Sequence, residues 1–237
     1  MSEKPYTYKY KISFANGEVY TKDIVIDNID GTLVESEIIP KDLEEMARLD
    51  FCKCTHCPYS EKEFKYCPVF RNITQVVNDF KNHNPHEVVT ASVEFNGRKV
   101  ETKDELHVPL TSLVGLLMAS SECEYFDFLK PMAKTHQPFS TYEETLIRVV
   151  SFYFLNRFLC GHTLDWNIQE LRKQYQDLEK VNAGILERIK AIKDGAEAEA
   201  EAVLVLDSFI KNFSWEYELN LDDLKEFFQR GKGFLNL

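Results

Sequence analysis

The sequence predicts an α+β protein with a small antiparallel, hairpin-based sheet, a cysteine metal knuckle and a helical C-terminal half. Three observations predict it. Residues 6–26 and 88–103 each alternate apolar and polar side chains around an Asn-Gly pair, which marks two β-hairpins. Between them, the stretch FCKCTHCPYSEKEFKYCPVF (51–70) holds four of the six cysteines. Beyond Pro109 the apolar period changes from two residues to between three and four, the helical spacing.

In the first hairpin Tyr6, Tyr8, Tyr10, Ile12 and Phe14 share one face, and Asn16-Gly17 leads into a return strand from Val19 to Ile26. The second runs VVTASVEF, Asn96-Gly97, RKVETK. Asn-Gly accepts positive φ at both central positions, so a tight two-residue turn is expected at each. The two hairpins are expected to pair into one sheet with helices on one face. A short acidic helix (40–49) and a helix over 73–83 fall between them.

In the second half, Thr111 is placed to cap the helix SLVGLLMASSE. Ser140-Thr141-Tyr142-Glu143 has capping-box spacing, and Gly161 stands just past the end of the helix it starts. That helix is apolar nearly all round, so it is expected at the centre of the fold. Next, Ile168, Leu171, Tyr175, Leu178, Asn182, Ile185, Ile189 and Ile192 recur at alternating spacings of three and four. This heptad seam packs on its own chain, with AEAEAEAVLVLDSFI folding back as a hairpin, or pairs two copies through residues 166–194. Asn182 would then set the register. The natural division is 1–108 and 109–237, packed as one integrated unit.

Charge and patterning exclude several classes. A formal net charge of −11 and a pI of about 5.1 disfavour nucleic-acid and membrane-surface binding. The N-terminus lacks the apolar core of a secretory signal, and the longest apolar helix carries Arg148 and Arg157. A cytoplasmic location is expected, where clustered cysteines bind metal or do redox work rather than form disulfides. No phosphate loop, dinucleotide fingerprint, nucleophile elbow or HExxH is present.

The knuckle reads Cys52-x-Cys54-x2-Cys57-x9-Cys67. A Cys-x2-Cys turn presents two thiolates to one ion, and zinc takes four such ligands in a tetrahedron. Cys52 would complete a local site, whereas Cys123 would clamp the helical half onto the sheet half. Cys57-Pro58 and Cys67-Pro68 also suit an iron–sulfur cluster. Cys54-Thr55-His56-Cys57 has the spacing of a thiol-disulfide exchange pair, but without the strand–helix setting such a pair needs. Three cysteines plus water would leave an open zinc with Glu61, Glu63 or Glu124 as base. Elsewhere, Cys123, Asp127, Lys130 and His136 crowd into one stretch, and Cys123 and His136 are candidates for a common site. Cys160 is expected in the core and His162 at a helix carboxyl end.

The blocks CTHCPY…YCPVF and SLVGLLMASSECEYFDFLKPMAKTHQPFSTYEETLIRVVSFYFL resemble those of an uncharacterised family of bacterial proteins, over about residues 45–215. The resemblance matches Cys54, Cys57, Cys67, Cys123 and His136 to family positions and omits Cys52. It therefore implies Cys123 as the fourth ligand, with Cys52 and His136 the alternatives, and implies no activity. The expectation is a non-enzymatic, zinc-stabilised interaction or regulatory protein. The alternative is a redox-active or metal-dependent enzyme, zinc or iron–sulfur, using the same cysteines.

Overall fold

Strand β1 (Tyr6–Ser13) turns its period-two pattern into two chemically distinct faces. Tyr8, Tyr10 and Ile12 are buried on one, and Lys9 and Lys11 are exposed on the other. The structure, a computed structural model, describes residues 4–192. β1 pairs antiparallel with β2 (Val19–Ile26) on one side and with β3 (Val88–Phe95) on the other; β3 pairs antiparallel with β4 (Arg98–Glu105). The order is β2-β1-β3-β4, so the two hairpins form one sheet, as the alternation implied.

The two Asn-Gly turns differ. At the second, Asn96 (φ 49°) and Gly97 (φ 73°) both take positive φ and join Phe95 directly to Arg98. At the first, of the pair only Gly17 (φ 92°) does, and the loop closes by Phe14 N–H donating to Glu18 O at 2.9 Å. That is a longer loop with a single left-handed glycine, not the tight turn expected.

The helices cover the face that carries Tyr8, Tyr10 and Ile12. A 3₁₀ turn (Lys41–Leu43) leads into α1 (Glu44–Ala47). Helix α2 (Pro68–Phe80) begins five residues before the expected 73 because Pro68 suits a first turn, where N–H groups lack helical partners anyway. Its Phe80 packs edge-on against Tyr20. Helix α3 (His107–Ala119) follows β4 almost at once. Thr111 is therefore inside it, with Oγ1 donating to His107 O, and does not cap it. A second 3₁₀ turn (Glu124–Leu129) precedes α4 (Lys130–Lys134).

Helix α5 (Tyr142–Leu159) does start with a capping box, one residue later than the spacing suggested: Thr141 Oγ1 accepts from Glu144 N–H and Glu144 returns the bond. It is not central. Leu146, Val149 and Val150 are buried, but Phe158 and Leu159 are over 70% exposed. Helix α6 (Gln169–Lys190) carries the heptad seam. Leu171, Tyr175, Leu178, Asn182, Ile185 and Ile189 are all buried within the chain. They pack on α2 and on the Glu124–Leu129 turn, where Phe128 meets Tyr175 edge-on. The AEAEAEAVLVLDSFI segment lies outside the described residues. One contiguous hydrophobic core runs from β1 to α6.

Candidate metal centre

Three chain segments bring the cysteines together, and each is fixed by hydrogen bonds. Cys54 and Cys57 lie on a tight turn closed by Cys57 N–H donating to Cys54 O at 3.1 Å. Cys67 precedes Pro68 at the start of α2, and its N–H donates to Ala47 O at 2.8 Å. Cys123 precedes the Glu124–Leu129 turn. Tyr125 Oη donates to His56 O at 2.8 Å, and Tyr59 Oη donates to Glu122 O while accepting from Glu124 N–H. These bonds hold the 54–59 loop against residues 122–125. Arg71 of α2 pairs with Glu122 at 2.5 Å and joins the third segment to the other two.

The thiols are electrostatic neighbours. Burial pushes the Cys123 thiol up to about 12, and the sulfurs of Cys67, Cys54 and Cys57 add to the rise. Burial pushes Cys54 up to about 11, with Cys67 and Cys57 adding in the same sense. Cys67 and Cys123 are buried, and Cys54 and Cys57 half-buried. Cys52, at φ 43°, and Cys160 are exposed, so Cys160 is not the core residue expected.

Beside this cluster lies a buried cation. Arg188 of α6 is 1% exposed, and its guanidinium donates to the carbonyls of Met46, Arg48 and Leu49 and lies over the Phe70 ring. Among the described residues it has no carboxylate partner, and its charge acts to lower the Cys54 pKa. Four residues before Arg188 on the same helix, Gly184 lies so close to the loop that a Cβ there would stand 3.5 Å from Cys54 Sγ.

The donor set suits zinc or an iron–sulfur cluster: four thiols from three segments, half-buried or buried, with a positive charge alongside. The sulfurs do not stand at mutual ligating distance. Among the described residues, the trio whose donor atoms all lie within 4.8 Å of one another is His86, Glu105 and His107, not a set of cysteines. An ion with sulfur ligands at about 2.3 Å would need them about 3.8 Å apart, closer together than any three of these sulfurs lie.

The remaining candidates have other company. His136 is not with the cysteines: its Nε2 is hydrogen-bonded to Tyr10 Oη at 2.5 Å and lies 3.3 Å from Ser112 Oγ, and burial pushes its pKa down to about 3. Glu61 lies 3.6 Å from Arg48. Glu63 accepts from Ser60 N–H and Oγ, which hold its carboxyl below the usual range. Asp127 pairs with Lys130. His162 N–H donates to Arg157 O at the end of α5.

Sequence reasoning missed the His86–Glu105–His107 trio, in which Glu105 Oε2 lies 2.8 Å from His86 Nδ1 and 3.4 Å from His107 Nδ1. Only the register that sets Val88 opposite Glu105 reveals it. Sequence reasoning also missed Arg188, which looks from spacing like an ordinary helix-end base.

Residues 7–229 match a family described as a domain of unknown function, DUF6901. The chain belongs to this family. The DUF6901 match begins inside β1, so the first hairpin belongs to the domain, whereas the motif resemblance began only near residue 45. Comparison with curated proteins and with solved structures finds no match. Among the described residues, no helix is long and apolar enough to cross a membrane.

Proposed function

We propose that this protein is a non-enzymatic interaction or regulatory protein held in shape by one structural zinc ion on Cys54, Cys57, Cys67 and Cys123. The observation that carries this reading is the convergence of four thiols from three segments beside Arg188, a buried cation with no carboxylate partner among the described residues. Crowded, desolvated thiols resist ionisation individually, and a bound cation relieves that resistance. Four thiolates around Zn2+ carry a net double negative charge, which Arg188 is placed to offset. With all four positions taken by protein, no place remains for water, so the ion's role is structural.

The enzymatic alternative has less support. A redox Cys-x2-Cys needs a depressed thiol pKa, usually at a helix N-terminus after a strand. Here Cys54 is raised and its turn lies in the loop between α1 and α2. The three glutamates considered as bases are on the surface, and Glu63 is held acidic. The acidic surface turns the partner class toward proteins and away from nucleic acid. A partner or a second copy engaging residues 166–194 would meet the polar face of α6, because the apolar stripe is already covered. The free thiols suit the reducing cytoplasm.

Elemental analysis of purified protein, with a visible spectrum, tests this directly. The expected result is one zinc per chain and no colour. Cys57→Ser and Cys123→Ser should each lose the metal and lower the folded yield, while Cys52→Ser and Cys160→Ser keep both. A brown protein containing iron would replace zinc with a cluster. A metal-free, folded protein would remove the reading altogether.

A further inference from the structure

A second site lies apart from the cysteines. A pocket of about 320 Å³, partly open to solvent, is bordered by α3, α4, α5, α6 and the loop after His136. This is within the range of small-molecule sites and equals roughly ten waters' share of liquid. Both His107 and Ala119, the first and last residues of α3, line it, so it follows about 20 Å of helix and is elongated. Its wall is mainly apolar, with Leu116, Leu129, Met132, Val149 and Leu178 prominent.

Two polar groups stand in that wall, one a buried amide without partners and the other a guanidinium without an ion pair among the described residues. Asn182 is 0% exposed, and among the described residues neither its side-chain oxygen nor its nitrogen has a hydrogen-bond partner. A leucine of similar size would avoid the cost of burying an unpaired amide. Arg148 is half-buried. Its Nη2 donates to Met132 O and Thr135 O, and among the described residues it makes no ion pair. The nearby ring of His136 is neutral and already bonded to Tyr10, so it neither repels nor neutralises an anion.

We propose that this cavity binds a medium-chain carboxylic acid. The carboxylate pairs with Arg148, the hydrocarbon chain follows the apolar wall of α3, and an oxygen substituent on the chain meets the Asn182 amide. An apolar body explains the wall, an anion explains the unpaired guanidinium, and a hydrogen-bonding oxygen explains the orphaned amide. The inference does not depend on the metal site.

Titration calorimetry with decanoate, ω-hydroxydecanoate and decylamine on the full chain tests it. Decanoate should bind at one molecule per chain and decylamine should not. Arg148→Gln should weaken decanoate about tenfold to a hundredfold, the loss of one charged hydrogen-bonded pair. ω-Hydroxydecanoate should bind more tightly than decanoate, and Asn182→Leu should erase that advantage. Equal binding of decylamine, no binding of any probe, or unchanged affinity in a folded Arg148→Gln protein would each overturn the proposal. If Arg148→Gln does not fold, the comparison of decanoate with decylamine on the unaltered protein decides.

Discussion

His136 shows how one buried side chain makes the fold sensitive to acid. Its imidazole is surrounded by Tyr8 and Tyr10 from β1, Ser112 from α3 and Arg148 from α5, none of which is an anion that would stabilise a proton on it. Burial first, and the Arg148 charge second, push its pKa to about 3, against an ordinary value of 6.5. Below the ordinary value the unfolded chain therefore takes up a proton that the folded chain refuses. Stability from this group is complete above about pH 6.5 and is lost as pH falls toward 3, at up to about 1.4 kcal/mol per pH unit. Urea unfolding at about pH 7 and pH 5 should show this fall, and His136→Gln, which does not titrate, should reduce it by about 2 kcal/mol. Equal pH dependence in the two proteins would mean the ring is protonated in the fold. At this scale the sequence was partly legible. Asn182 stands out as the polar residue in an apolar seam, and His136 as one of several reactive side chains in a short stretch, but spacing alone does not reveal that His136 bonds to Tyr10 or that Asn182 faces a cavity. Both outcomes depend on which helices meet.

Among the elements, periodicity gave type more securely than ends. The alternation in 6–14 and 88–95 became paired strands, and the seam from Ile168 became α6. The ends moved where tertiary structure overrode local signals. Thr111 lost its capping role because β4 runs almost directly into α3, and α5 lies at the surface although its composition suggested a centre. The clearest test of element docking is Gly184 on α6. A Cβ there would lie 3.1 Å from Cys52 O and 3.5 Å from Cys54 Sγ, so the helix and the cysteine loop touch through a missing side chain. Alanine gains about 1 kcal/mol of helix propensity, which the tight contact with a backbone oxygen offsets. Valine adds two more methyl groups against the same loop and should cost about 1–3 kcal/mol. Chemical denaturation of Gly184→Ala and Gly184→Val should give near-neutral and clearly destabilised proteins respectively. A valine variant as stable as the unaltered protein would show that the loop does not sit this close to α6.

For the molecule as a whole, the segment from 50 to 66 depends on ties to its neighbours. It contains no helix or strand, and it is tied down by the Arg48–Tyr66 bridge, by the Tyr59 and Tyr125 bonds and, just before it, by the carbonyls of Met46, Arg48 and Leu49 that Arg188 holds. The sheet and α3, by contrast, rest on a continuous apolar core. A structural zinc contributes on the order of 10 kcal/mol, comparable to the total stability of a domain. Its removal should therefore open this loop before the sheet, because local opening is easiest where buried apolar contacts are few. Lys53, Lys62 and Lys65 lie within the loop and are exposed, or nearly so, which makes trypsin a direct probe. Treatment with a strong chelator should make cleavage after these lysines the first event, with β1 to β4 resistant for longer, and added zinc should restore protection. Cys67→Ser should show the chelated pattern without any chelator, since losing one sulfur leaves three segments that no longer share an ion. If chelation leaves the order and rate of cleavage unchanged, the loop is held by its hydrogen bonds and by Arg188 alone, and the four thiols are neighbours without a common ligand.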